Sequence, residues 1–223
     1  MIEFLVLILP VKYKMSDQIP SIVVCLRSGG DYYPGHVRAL GRQIERNATI
    51  PYRFVCYTDQ ADELLEIETV ELEKNYPGWW SCVELWKHQG PTIAIGLDTM
   101  ILKNIDDLLK MVCHIPEEDF FLLDSFFHPG EFINGMQAWN GDWSWLYDEF
   151  GFEKESKLHR GDENYQINAL LTKGVDLTAI QEYFAGICNY KLHIRKNLVK
   201  DPGIIIFHGD PKPWRTNLWR LVE

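Results

Sequence analysis

The chain has 223 residues, 46% of them hydrophobic, with no low-complexity tract, which fits one globular α/β-sized domain. A net charge of −10 at pH 7 argues against a nucleic-acid binder, which needs a basic surface, while leaving room for a local basic pocket that takes a nucleotide. The five cysteines, Cys25, Cys56, Cys82, Cys113 and Cys188, are odd in number and show no CxxC spacing, so neither a zinc knuckle nor a disulfide framework is indicated and a reducing, cytoplasmic home is expected.

Phe4 to Leu9 is apolar but too short to span a bilayer, and it lacks a basic flank or a small-residue cleavage site. Residues 1–14 read as an N-terminal extension or a peripheral strand, ahead of a single domain over 15–223. Ile22-Val23-Val24-Cys25-Leu26 is a buried-strand candidate that runs into Arg27-Ser28-Gly29-Gly30-Asp31. Val37, Leu40 and Ile44 have helical spacing, which completes a strand–loop–helix unit over residues 22–44. Phe54-Val55-Cys56-Tyr57 is a second strand that stops at Thr58-Asp59, and Asp59 has the chemistry to open a helix over 60–65. A weak strand at 70–72 precedes a helix over 80–87 with Val83 and Trp86 turned inward. Thr92-Ile93-Ala94-Ile95 leads into Gly96-Leu97-Asp98-Thr99, and Asn104-Ile105-Asp106-Asp107 opens a helix over 108–112. Strands at 120–123 and 136–139, helices at 143–150 and 163–171, and a last strand, Ile204-Ile205-Ile206-Phe207, complete the pattern.

Strands alternating with helices predict an α/β fold with a mostly parallel central sheet and helices on both faces. Ligands in such sheets bind beyond the carboxyl ends of the strands. Arg27, Asp59, Asp98 and His208 all stand at those ends and point to one shared pocket. Each has an ordinary alternative, as a cap, a turn residue or a satisfied strand-end histidine. Asp98 lies between two hydrophobic segments, where an unpaired carboxylate is costly and calls for a cation or a basic side chain. The tail His208-Gly209-Asp210-Pro211-Lys212-Pro213-Trp214 presents an imidazole, a stiffly held ammonium and a flat ring. It reads either as a rigid turn or as a site for a metal-bound diphosphate, and oxygen plus imidazole ligation suits Mn²⁺ or Mg²⁺. Trp139, Trp143, Trp145 and Tyr147 fit the core better than a sugar-stacking platform, and Ser28, Asp31 and His36 lack triad geometry.

These segments, taken in order, resemble the nucleotide-sugar glycosyltransferases of the GT-A fold, in particular the glycogenin-like retaining group and its bacterial and phage relatives. The resemblance runs from Ile22 to Trp214. It is most specific in Trp79-Trp80-Ser81-Cys82-Val83-Glu84-Leu85-Trp86 and in the His-Gly-x-x-Lys-Pro-Trp tail. Tyr57-Thr58-Asp59, Gly96-Leu97-Asp98, Phe132-Ile133-Asn134-Gly135 and Gly161-Asp162-Glu163 are shorter matches in the same order. The resemblance implies donor contacts from Leu26, Arg27, Ser28, Asp59, Trp80, Leu97, Asp98, Asn134, Gly135, Gly209 and Lys212. It implies a divalent cation, Mn²⁺ or Mg²⁺, on Asp98 and His208, and catalytic parts for Asp162, Glu163 and Lys212. The co-substrate is expected to be a nucleotide sugar, with UDP as its nucleotide, and the acceptor a glycan or another hydroxyl compound. Two positions depart from the pattern. Gly96 replaces the first acid of the Asp-x-Asp motif, and Cys82 stands where relatives carry lysine. Those departures keep open a catalytically silent nucleotide-sugar-binding protein, or a carbohydrate-interaction domain built on the tryptophan-rich middle.

Overall fold

The computed structural model describes residues 18–222. The segment expected to form an extension, residues 1–14, lies outside them. Two sheets organise the chain. The central one has seven strands: β1 (Ser21–Leu26), β2 (Arg53–Thr58), β3 (Glu68–Glu71), β4 (Thr92–Ile95), β6 (Phe120–Asp124), β7 (Phe132–Trp139) and β8 (Leu177–Ala179), in the order β3-β2-β1-β4-β7-β6-β8. The second holds β5 (Thr99–Ile101), β10 (Ile204–Ile206) and β9 (Ile187–Asn189) in the order β5-β10-β9. Strands β3, β2, β1 and β4 run parallel, with Ile22 opposite Phe54 and Ile93, while β7 is antiparallel to both β4 and β6. The mostly parallel α/β architecture expected from the sequence is therefore present.

The strands alternate their side chains between two cores, as a pleated sheet buried on both faces requires. Ile22, Val24 and Leu26 of β1 face α1 (Pro34–Asn47) and α2 (Asp106–Val112), meeting Val37, Leu40, Leu108 and Val112. Val23 faces the other way, toward Val83, Trp86, Trp139, Trp143 and Tyr165. That side is built from the 3₁₀ helix Gly78–Lys87, the short α3 (Trp145–Asp148) and α5 (Asp162–Thr172), with α4 (Phe152–Leu158) beside them. Helix α1 starts with Pro34 in its first turn, where the missing N–H costs nothing.

Three expectations change. The 80–87 helix is 3₁₀ and starts at Gly78, the 60–65 helix shrinks to the turn Ala61–Glu63, and the 143–150 helix contracts to α3. The triple-isoleucine strand β10 does not join the central sheet. It pairs antiparallel with β5, placing Ile206 opposite Thr99, and parallel with β9. Thr99 N–H donates to Gly96 O over 3.1 Å, and that tight turn carries the chain from the central sheet into the small one. The tail thus returns beside Asp98 through β5 rather than along the main sheet. No helix among the described residues is long and apolar enough to cross a membrane.

Candidate functional site

The candidate site is the region at the carboxyl ends of β1, β2 and β4, where the chain crosses from the central sheet into the small one. Three clusters of side chains line it.

The first joins the loops after β1 and β2. Asp59 accepts from the Ser28 amide (2.8 Å), the Ser28 hydroxyl (2.5 Å) and the Asn75 side-chain amide (3.2 Å). Burial alone raises a carboxyl, but these bonds outweigh it and hold the Asp59 carboxyl below its ordinary value. Asp59 therefore ties two loops and does not cap a helix, since Gln60 precedes the short turn. Arg27 donates to the backbone carbonyls of Ser28 and Asn75. Asn75 is held in turn by the fully buried Glu84, whose carboxylate accepts the amides of Glu73 (2.7 Å), Lys74 (2.9 Å) and Asn75 (3.0 Å). Glu84 sits inside the Trp-Trp-Ser-x-x-Glu-Leu segment, so that segment shapes the loop facing Asp59.

The second cluster is the junction of the two sheets. Phe207 N–H donates to Asp98 O over 3.2 Å, extending the β5–β10 ladder and bringing His208 next to the Asp98 turn. Lys212 Nζ donates to Asp98 Oδ2 and to Tyr32 Oη, each at 2.6 Å, with side chains that are only 13% and 16% exposed for Lys212 and Asp98. Burial, with the Asp98 carboxylate alongside, drives the Tyr32 phenol well up, so it stays protonated. His208 Nδ1 lies 3.1 Å from Asn189 Nδ2. A Cβ on Gly135 would come within 2.8 Å of His208 Nε2, so glycine there makes room for the imidazole. Burial lowers the His208 pKa, partly opposed by Asp98 and reinforced by Lys191 and Lys212, and the ring is neutral near pH 7.

The third cluster gathers the expected sugar-side residues. Asn134 Nδ2 donates to Asp162 Oδ2 (2.9 Å), and Asn134 N–H donates to Glu163 Oε2 (3.0 Å). Asp162 is half-buried as a residue, but its carboxyl group is deeply desolvated, which pushes its pKa up to about 6 against the pull of the Asn134 bond. Cys82 adjoins Cys25, and the charges of Asp162 and Asp98 also bear on it; hydrogen bonding to Cys25 and burial push the thiol far up, leaving it uncharged.

The structure brings together Arg27, Ser28 and Asp59, then Asp98, Gly135, His208 and Lys212, then Asn134, Asp162 and Glu163. Other expected contacts sit differently. Trp80 is buried and stacked on Phe150, and Leu26 and Leu97 point into the core, leaving only their backbone for a ligand. Trp214 does not stand as a free wall, because its ring stacks on His36 at 3.7 Å. Asp210 pairs with Arg215 over 2.9 Å. Two residues nearby are not among the expected contacts: Trp79, although it opens the Trp-Trp-Ser segment, and Lys191, which lies in no motif. Trp79 is 63% exposed and its indole borders Gly161. Lys191 follows β9 and places Nζ 3.6 Å from where a Cβ on Gly209 would sit. Gly209 itself takes a left-handed φ of +67°.

The residues expected to hold a divalent cation do not form such a set in this arrangement. Asp98 Oδ2 already receives an ammonium, Gly96 supplies no second carboxylate, and no three His, Cys, Asp or Glu side chains converge among the described residues.

No protein-family model and no curated protein sequence matches the chain. Solved structures do. The glycosyltransferase GlyE of Streptococcus pneumoniae TIGR4 superposes with a TM-score of 0.65 at 13% identity, over 91% of this chain and 60% of GlyE. The galactosyltransferase LgtC, solved with donor and acceptor sugar analogs, gives a TM-score of 0.61 at 12% identity over 89% and 91% of the two chains. Mouse xyloside xylosyltransferase 1 gives 0.53 at 10% identity over 87% and 99%. The chain thus spans about 60% of the length of GlyE and nearly all of LgtC's. At 10–13% identity these likenesses show a shared fold, the mostly parallel α/β fold of the GT-A type.

Proposed function

We propose that this chain transfers a sugar from a nucleotide-sugar donor to a hydroxyl acceptor, within the glycogenin-like retaining group that its motifs resemble. The observation that carries this reading is the close approach of Gly135 to His208, which sets Asp98, Lys212 and His208 beside Asn134, Asp162 and Glu163 beyond the strand ends. The fold supports it: LgtC, which shares it, was solved with donor and acceptor sugar analogs.

On this reading the Ser28–Asp59–Asn75 loops cradle the nucleoside, with UDP the expected nucleotide, and the diphosphate lies against His208, Gly209 and Lys212. Departure of the nucleoside diphosphate breaks the bond from the anomeric carbon to phosphate oxygen. Negative charge grows on that oxygen, and the Lys212 ammonium, in a partly dry site, stabilises it where it develops. The anomeric carbon gains positive character opposite Asp162, which is largely ionised above pH 6 and anchored by Asn134. The acceptor hydroxyl attacks from the side the phosphate leaves, its proton passes to the departing phosphate oxygen, and the configuration is retained. No separate enzymatic base is needed for that step.

Gly96 and the uncharged Cys82 favour one rival, a nucleotide-sugar-binding protein without turnover. Thermal-shift measurements with UDP-, GDP- and ADP-linked sugars test the binding half. A donor at a hundred times its Kd adds about 2.7 kcal/mol to the folded state. For a domain of this size that raises Tm by roughly 5–10 °C. No rise with any donor contradicts the proposal, and a rise without nucleoside diphosphate release selects the silent binder.

A further inference from the structure

A divalent cation bound between a carboxylate and an imidazole needs a lone pair from each. His208 does not turn one toward the cleft. Asn189 Oδ1 accepts the Leu192 amide over 3.0 Å, which fixes the orientation of the Asn189 side chain. Its Nδ2 must therefore donate to His208 Nδ1, and the neutral ring carries its proton on Nε2, the atom that faces Gly135. A metal-ligating histidine shows the reverse arrangement, with its outer nitrogen donating to a carbonyl or carboxylate. Asp98 is partly taken as well, because its Oδ2 accepts from Lys212 Nζ over 2.6 Å and Gly96 adds no second carboxylate beside it.

Two ammonium groups stand at the place where positive charge is wanted. Lys212 is fixed by Asp98 and Tyr32. Lys191 is half-buried on the turn after β9 and reaches Gly209, and its ammonium makes no hydrogen bond or ion pair with any described residue. An ammonium that is partly desolvated and left without an acid is poised for an anion from outside. Gly209, with no side chain, leaves its backbone open beside Lys191.

We propose that Lys191 and Lys212, with the Nε2–H of His208, form a binding site for the diphosphate of a nucleoside diphosphate that works without a divalent cation. The inference rests on the glycosyltransferase reading above and names how that same site neutralises its leaving group. Lys191 is a binding residue for the two phosphates, and Asp98 is the positioning residue for Lys212.

Isothermal titration calorimetry of the full chain tests this, with UDP, GDP and ADP as probes in excess EDTA and in millimolar MnCl₂. The tightest of the three, with its monophosphate as control, is carried into variants. The Kd in EDTA is expected within about threefold of that in Mn²⁺, because the lysines supply the charge. Lys191→Met is expected to weaken the diphosphate about tenfold and the monophosphate by much less, as loss of one charge-assisted contact does. Lys191→Arg restores most of the affinity, and unchanged melting by circular dichroism shows that each variant is folded; Lys191→Gln replaces Lys191→Met if it is not. Diphosphate binding that appears only with Mn²⁺ overturns the proposal, as does unchanged affinity in folded Lys191→Met. If none of the three nucleotides binds in either buffer, the glycosyltransferase reading falls and takes this inference with it. That outcome is distinct from binding that needs Mn²⁺, which spares the parent reading.

Discussion

Lys212 Nζ sits 2.6 Å from Asp98 Oδ2 across 114 residues of chain, and that ion pair joins the turn after β4 to the tail after β10. Both side chains are mostly buried, so each shields the other from the cost of a lone charge in the cleft wall. Asp98→Asn leaves the shape intact and the ammonium unpaired. We expect a stability loss of about 2 kcal/mol in urea unfolding, since the pair is neither fully buried nor exposed. Any nucleoside diphosphate release from a sugar donor falls at least about tenfold, because Lys212 is no longer held in line. Wild-type turnover in Asp98→Asn would remove the ion pair from the account.

Glu84 accepts the backbone amides of Glu73, Lys74 and Asn75. Replacing it with glutamine keeps the volume but removes the charge that strengthens those bonds and leaves only one accepting oxygen. The expected loss is on the order of 3 kcal/mol, or roughly 5–10 °C in Tm. Nucleotide affinity drops with it, because the loop carrying Asn75 loosens beside Asp59. An unchanged melting temperature in Glu84→Gln would show that the loop holds itself.

Gly135 leaves no room for a side chain beside His208. Alanine there brings Cβ within 2.8 Å of His208 Nε2 and 3.3 Å of Ile206, so the imidazole must move. Diphosphate affinity is expected to fall about tenfold with a stability change near 1 kcal/mol, the cost of a modest overpacking. Equal losses of affinity in Gly135→Ala and in Gly135→Ala/His208→Ala, with His208→Ala alone harmless, would separate the steric effect from the histidine and contradict this role.

Asp162 makes stability depend on pH in a definite direction. Its folded pKa of about 6 exceeds the ordinary value of 3.8, so between those values the folded state binds more protons than the unfolded one. Its contribution is full below about pH 4 and is lost as pH rises through 6, on the order of 2–3 kcal/mol in all. Wild type should therefore lose stability relative to Asp162→Asn between pH 4 and 7, measured by urea midpoints. A difference that is flat across that range contradicts the raised pKa.

Much of the frame was legible because β-branched and aromatic runs at 22–26, 54–57, 92–95 and 120–123 can hardly be anything but buried strands. The helix over Pro34–Asn47 followed from apolar spacing and an early proline. The small sheet was not legible. Strands β5 and β9 have three residues each, below what periodicity can register, so the isoleucine run of β10 was assigned to the wrong sheet. Asp98 and His208 still came out as neighbours, because an antiparallel partner at Thr99 places the tail at the same spot. The resemblance implied a donor contact from Trp80, but a 3₁₀ turn sends adjacent rings in different directions and of the pair only Trp79 is exposed. His36 offered no pattern and is found stacked on Trp214, while Lys191 belongs to no motif and is brought in by the turn after β9.

The most direct test of sugar transfer is release of nucleoside diphosphate from UDP-, GDP- and ADP-sugars, followed by phosphorus NMR, for wild type and Lys212→Met. The account predicts slow release from at least one donor by the wild type, faster with a hydroxyl acceptor, and a loss of at least about a hundredfold in Lys212→Met, the scale of one transition-state charge contact. Release from no donor by a protein whose melting temperature those same donors raise would contradict it and leave a binding protein in its place.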